Sequence, residues 1–346
     1  MPKPQLKILS IDGGGIRGVI PCRILAFFEA QIGYSLSNTF DLIAGTSTGG
    51  IISLGLSCAN PATSMPFTAS DMLDLYKENG LTIFRQRQKT FWSRLAALTP
   101  ISSLVQKPYQ SEDIEGVLLK YFGEIRLAEC QTEVLVTTHD IKSNRPFYFS
   151  SRLAKKKTEE NFLLRAVARA TSAAPTYFEP IIADYKENED VAFIDGGVFA
   201  NNPATLAYCE AKEIWKHKTD KAFEPDVLPD DQDLPFFMLS LSTGHTPKSI
   251  SGKDAQNWGT LDWVSPLIND IFMQSVSEST HYMMQHLLPP YTDGTTRYHR
   301  IELQIPKEYS EMDNASGENI KKLIEIADKY IEANEKDLLK VCEMIK

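Results

Sequence analysis

Gly45-Thr46-Ser47-Thr48-Gly49 sets a serine between two glycines at the spacing G-x-S-x-G. A serine that attacks an acyl carbonyl must stand on a sharp strand-to-helix turn, its hydroxyl exposed and the next backbone N–H facing the reacting oxygen. Glycines two residues to either side let neighbouring backbone pass where a Cβ would collide. The same pentapeptide is also an ordinary polar turn. Its context favours the chemical reading, because an apolar strand over residues 40–44 precedes it and an apolar helix over 51–58 follows.

Two other turns could serve that serine. Asp12-Gly13-Gly14-Gly15-Ile16-Arg17-Gly18 lies between a buried-strand pattern (Leu6–Ile11) and a helical one in which Pro21 falls in the first turn. It contains G-x-G-x-x-G, so a dinucleotide-binding reading must be weighed. That reading needs a ribose-binding acid about 20 residues on. Glu29 falls within the following helix and Asp41 in the strand feeding Ser47, while Asp12 would oppose a pyrophosphate. Successive glycine N–H groups at a helix N-terminus suit an oxyanion better, and a glycine turn without a ligand is the plainest alternative.

Asp195-Gly196-Gly197 follows a third short strand over residues 191–194. Alone, such a tripeptide is a turn; its weight comes from the histidines. A Ser–His–Asp hydrolase places a loop histidine late in the chain. Of His217, His245, His281, His286 and His299, only His245, in Ser-Thr-Gly-His after a strand, is so placed. A carboxylate on a tight turn could instead take the serine proton directly.

In this order the three motifs resemble the patatin-like phospholipase family, bacterial-type. Arg169-Ala-Thr-Ser-Ala-Ala-Pro175, Asp195-Gly-Gly-Val-Phe-Ala-Asn-Asn-Pro203 and Leu239-Ser-Leu-Ser-Thr-Gly244 look like further blocks of that family, and the likeness is strongest over residues 6–244. The resemblance implies an α/β three-layer fold with a mostly parallel sheet. It implies a phospholipase A-type acyl hydrolase with Ser47 as nucleophile, Asp195 as base, an acyl-enzyme, and neither histidine, metal nor cofactor. Gly13, Gly14 and Gly15 would hold the oxyanion with Thr48 N–H contributing, supported by Gly45, Gly49 and Gly196. Arg17 would fix the glycine loop from beneath or meet a phosphate headgroup, the first being favoured. Bacterial members activated by cyclic dinucleotides add such a nucleotide as a candidate activator. The competing reading is a non-catalytic module that uses the glycine loop to hold an anion or nucleotide.

The elements that must position these residues alternate. Strand patterns at Leu6–Ile11, 40–44, 133–138, 147–150, 192–194, Phe236–Leu241 and 298–302 are interleaved with helical ones, including 162–170, as a parallel sheet wrapped by helices requires. Polar breaks at 185–190, 216–233 and 247–257 are too short to separate domains. One catalytic domain, residues 1–315, and a C-terminal amphipathic helix, 316–346, are expected.

The chain of 346 residues is 42% hydrophobic with a formal net charge of −9, a balance that argues against a nucleic-acid polymer as partner. Any attraction to anionic lipid must then be local. Residues 79–111 hold no acid but carry Arg85, Arg87, Lys89 and Arg94, with Phe91 and Trp92 interleaved. That mixture suits an interfacial helix, a lid over the site, or an activator's phosphates. The five cysteines form no C-x-x-C pair and read as small buried hydrophobes. With no signal-peptide pattern or membrane span, the expected place is the cytoplasm, peripheral to the membrane when active. Ile320, Ile324, Ala327, Ile331, Asn334, Leu338, Val341 and Ile345 form a heptad seam in the tail. It would dock on its own domain or join two chains as a homo-oligomer.

Overall fold

The computed structural model describes residues 6–85, 109–185, 188–219, 236–246, 251–256, 258–259, 273–291 and 293–346. Of the basic and aromatic segment, Arg87, Lys89, Phe91, Trp92 and Arg94 lie outside the described residues.

Among the described residues, eight strands form one sheet: β1 (Leu6–Ile11), β2 (Leu42–Thr46), β3 (Glu133–Asp140), β4 (Arg145–Ser150), β5 (Ile181–Tyr185), β6 (Asn188–Asp195), β7 (Phe236–Leu241) and β8 (Tyr298–Ile301). The hydrogen-bonded path runs β5-β6-β3-β2-β1-β7-β8, with β4 also paired to β3. From β3 through β8 the path is parallel. β1, β2 and β7 are buried, as continuous apolar strands covered on both faces must be.

The two faces carry different cores. Leu9, Ile11, Ile43, Val134, Val136, Phe237 and Leu239 pack with α1 (Val19–Ile32), α2 (Thr48–Ser57), α3 (Ala69–Ile83), α4 (Ser111–Phe122) and α5 (Leu164–Thr171). Leu6, Ile8, Leu42, Ala44, Leu135, Phe236 and Met238 pack instead against α6 (Ala204–Thr219) and α7 (Met273–Leu287). This alternation along each strand sends side chains to opposite faces and yields helix, sheet, helix. The tail forms α8 (Gly317–Ile345), whose Ile320, Leu323, Ala327, Ile331, Leu338, Val341 and Ile345 are buried in the first core. Its seam lies along α1 of the same chain, and Asn334 donates to the Tyr330 carbonyl one turn back.

β3 is the strand that positions the site. β4 lines residues 135–140 along one edge. β2 pairs with residues 133–137 and β6 with 138–140, so those two must share the other edge. β2 runs parallel to β3 and β6 antiparallel, so their C-terminal ends meet head to head. Thr46 lies opposite Thr137, and Asp195 opposite Thr138. Residues 149 apart in sequence are thereby brought into contact by register.

Two expectations change. Residues 185–190 are not a strandless break but belong to the β5–β6 hairpin, with Tyr185 opposite Asn188, and β5 at 181–185 was not expected as a strand. β5 is an edge strand with Ile182 exposed, so its polar surroundings masked the pattern. Cys22, Cys58, Cys130 and Cys342 are buried, whereas Cys209 is exposed.

Leu323 is fully buried where α8 meets the core, while Leu339 on the same helix is partly exposed. Leu323→Ala should cost about 2–5 kcal/mol in urea unfolding, and Leu339→Ala should stay within about 0.5 kcal/mol of the parent.

Candidate active site

β2 ends at Thr46 and α2 begins at Thr48, leaving Ser47 alone in the turn. Its φ of 55° and ψ of −124° lie where a residue with a side chain is rarely found. The flanking glycines permit this. A Cβ on Gly45 would come within 2.1 Å of the Gly49 carbonyl oxygen, and one on Gly49 within 2.2 Å of the Ile11 carbonyl oxygen. The Ser47 N–H donates to Thr171 Oγ1 at 2.8 Å, tying the turn to the end of α5. Thr171 lies in the Arg169–Pro175 stretch singled out by resemblance, but its sequence gave no sign of this bond.

Asp195 ends β6 and is buried, its side chain facing Ser47. It accepts the Gly197 N–H at 2.7 Å, and the Ser47 hydroxyl beside it favours its charged form. Burial pushes its carboxyl up from 3.8 to about 6, and Ser47 and the Gly197 N–H hold it back from rising further. Gly196 packs its backbone against Thr137 of β3.

The glycine loop crosses beside this pair. Gly13 was expected among the oxyanion donors, but its N–H is committed to the Asn201 carbonyl at 3.0 Å. Gly14, Gly15 and Thr48 line the cavity that Ser47 and Asp195 share. Thr243 Oγ1 donates to the Gly13 carbonyl at 2.7 Å, fixing the loop from β7's side. Arg17 Nε donates to the Gly14 carbonyl at 3.3 Å, linking that guanidinium to the loop.

Asp12 and Arg300 form an anchor that the sequence did not reveal. Arg300 on β8 donates to both Asp12 oxygens, at 3.0 and 2.7 Å, and to Ser240 Oγ at 3.0 Å. Both side chains are almost wholly buried. Burial raises the Asp12 carboxyl and the guanidinium opposes that rise. Separated by 288 positions, the partners carry no local pattern.

The cavity over Ser47 holds about 370 Å³, within the range of small-ligand sites. Ile51, Ile83, Phe84, Ile114, Phe178 and Met273 wall it, an apolar lining suited to a hydrocarbon chain. A second cavity of about 490 Å³ adjoins it, with Tyr177, Met273 and Met312 common to both. His245 lines this second cavity rather than the first, its Nδ1 3.6 Å from Glu302 Oε1. Arg85 is exposed on the far end of α3's exit and sits 3.4 Å from Asp113. Among the described residues, no helix is long and apolar enough to cross a membrane.

Residues 9–208 match the model of the patatin-like phospholipase family. "Patatin-like protein 1" of Oryza sativa subsp. indica is 33% identical, across 95% of this chain and 82% of its own. "Patatin-like protein 2" of Arabidopsis thaliana is 34% identical, across 94% and 82%. "Probable inactive patatin-3-Kuras 1" of Solanum tuberosum is 30% identical, across 94% and 86%. The chain belongs to the patatin-like phospholipase family, and by kind it is a lipid acyl hydrolase.

Asp195 folds with its carboxyl raised to about 6, so between roughly pH 4 and 6 the folded state holds a proton that the unfolded state releases. Stability is therefore lost as pH rises through that window. Asp195→Asn, neutral throughout, should be more stable than the parent at pH 7 by about 1–3 kcal/mol. That gain should vanish below about pH 4 when unfolding is measured at both pH values.

Proposed function

We propose that the protein hydrolyses fatty-acyl esters of phospholipids through Ser47 and Asp195. The observation that carries this reading is the convergence of the strained Ser47 and a buried carboxylate on the lining of one apolar cavity. With the acyl chain in that cavity, the ester carbonyl lies beside Ser47. Attack forms the Oγ–C bond as the hydroxyl proton passes to Asp195. The N–H groups of Gly14, Gly15 and Thr48 receive the oxyanion. The intermediate collapses, the C–O bond to the lysophospholipid breaks, and that alkoxide leaves with the proton from Asp195. Water then attacks the acyl-enzyme, gives a proton to Asp195, and releases the fatty acid as Ser47 regains its hydrogen.

Burial supports Asp195 in this role. An ordinary aspartate near 3.8 is a weak base, and raising it to about 6 narrows the gap to the serine while leaving it ionised at neutral pH. The substrate's own location implies peripheral contact with a lipid surface, and Val198, partly exposed, lines the Ser47 cavity at a place that could meet it.

A family relative with "inactive" in its name means that kinship does not decide catalysis, so a non-catalytic anion-binding module is the reading to exclude. Purified protein should release fatty acid from a chromogenic acyl ester and from phospholipid vesicles. Ser47→Ala and Asp195→Asn should each lower turnover by at least about 10³-fold, because the two act as one unit. His245→Ala should stay within about threefold of the parent. An inactive His245→Ala beside an active Asp195→Asn would put a triad in place of the dyad. The same assay without added nucleotide tests an activator, since full turnover would show that none is required.

Turnover also carries a pH signature. The base must be ionised, so kcat/KM should rise tenfold per pH unit up to about pH 6 and level off above it. A profile centred near 4, or one that keeps rising past 8, would exclude Asp195 in its buried state as the base.

A further inference from the structure

We infer that Tyr76 is a positioning residue for the oxyanion site: its hydroxyl pins Thr48, and through Thr48 the N–H that would meet the developing charge. This rests on the acyl-hydrolase reading above and deepens it. Tyr76 stands on α3, outside both the serine turn and the glycine loop, and it is buried where it lines the Ser47 cavity.

Two contacts hold Thr48. The Tyr76 hydroxyl donates to the Thr48 carbonyl at 3.3 Å, and a second hydrogen bond joins the Tyr76 oxygen to Thr48 Oγ1. With the tyrosine hydrogen on the carbonyl, the Thr48 hydroxyl supplies the hydrogen of the second bond. Both contacts are buried, and burial raises the phenol well above its ordinary value. Tyr76 therefore keeps its proton and acts as a fixed dipole rather than as a base.

The turn around Ser47 needs such a fastening. Ser47 is the N-cap of α2, yet its side chain caps no backbone N–H. Its own N–H is held by Thr171 Oγ1, and its carbonyl by the Ile51 N–H at 3.0 Å. The peptide unit from Ser47 to Thr48 is planar, so the direction of its N–H follows from where its carbonyl and the Thr48 Cα are fixed. Ile51 fixes the first and Tyr76 the second.

The same hydroxyl pair meets the glycine loop. Gly18 closes the short helical turn Gly15–Gly18. A Cβ on Gly18 would run into Thr48 Oγ1 and lie 3.3 Å from Tyr76 Cζ. The turn that begins at Gly15 thus rests on the Tyr76–Thr48 pair, and both groups of N–H donors take their positions from it. A displaced oxyanion donor leaves substrate binding intact but stabilises the transition state less, so the loss falls on kcat.

The test uses p-nitrophenyl butyrate, with active sites counted by the end-point of fluorophosphonate labelling so that misfolded protein is excluded. Tyr76→Phe should lower kcat by about 10–100-fold. KM should stay within about twofold of the parent, and the pH midpoint should stay near 6 because Asp195 is untouched. Thr48→Ala removes the other hydroxyl without adding bulk against Gly18. It should lower kcat by a similar factor, and it reads the same linkage should Tyr76→Phe fail to fold. The combined variant should lie within about threefold of the larger single loss, because both changes break one linkage. A kcat of Tyr76→Phe equal to the parent's, a loss carried by KM, a displaced pH midpoint, or single losses that multiply would overturn the inference. Parent hydrolysis of the ester beside an unaffected Tyr76→Phe sinks this inference alone. A parent inert toward the ester sinks the acyl-hydrolase reading and this inference with it.

Discussion

Two strands share one edge of β3, and the catalytic pair depends on that arrangement. β2 enters from one end and β6 from the other, and each stops where the next ladder position would belong to its neighbour. Ser47 and Asp195 are therefore the first residues beyond, or at, two converging strand ends. Neither sits on a flexible loop, so their separation is set by β3's backbone spacing. Thr46 Oγ1, bonded to Thr137 Oγ1 at 2.7 Å and to the Ala200 carbonyl at 2.6 Å, fastens the junction. A shift of either strand by one residue would reverse its facing side chains and separate the pair.

The site concentrates costs that the surrounding core offsets. Ser47 holds a backbone conformation that side chains disfavour, and Asp195 is a carboxylate withdrawn from water. α2, wholly buried, locks the turn from one side, while the Ser47–Thr171 bond locks it from another. The glycine loop is fixed independently, by Arg300 on Asp12, by Asn201 on Gly13 and by Thr243 on the Gly13 carbonyl. Donors held rigidly in this way need little rearrangement when negative charge develops, which is how preorganised sites lower barriers.

Much of the site could be read from the sequence because its constraints are local. Gly45 and Gly49 are required by backbone contacts within a few residues or along the neighbouring strand end, and they leave a pattern around Ser47. Asp195 showed itself through the glycines that turn the chain after it. The alternating strands and helices likewise followed from apolar runs, although β2 extends to Thr46 and α2 starts at Thr48, closing the turn more tightly than the apolar runs suggested. What stayed hidden depends on distant partners. Arg300 meets Asp12 only through the sheet, and Gly13 loses its N–H to Asn201 from a turn after β6. β5 was missed because an edge strand faces water and need not alternate cleanly.

Active-site labelling tests the central claim most directly. A fluorophosphonate reacts with an activated serine and leaves a covalent adduct whose position peptide mass spectrometry can assign. The adduct should fall on Ser47, with a labelling rate that halves near pH 6. Asp195→Asn should slow labelling by at least about 100-fold, and His245→Ala should label as the parent does. An adduct at another residue, or Ser47 labelling at an undiminished rate in Asp195→Asn, would contradict the dyad.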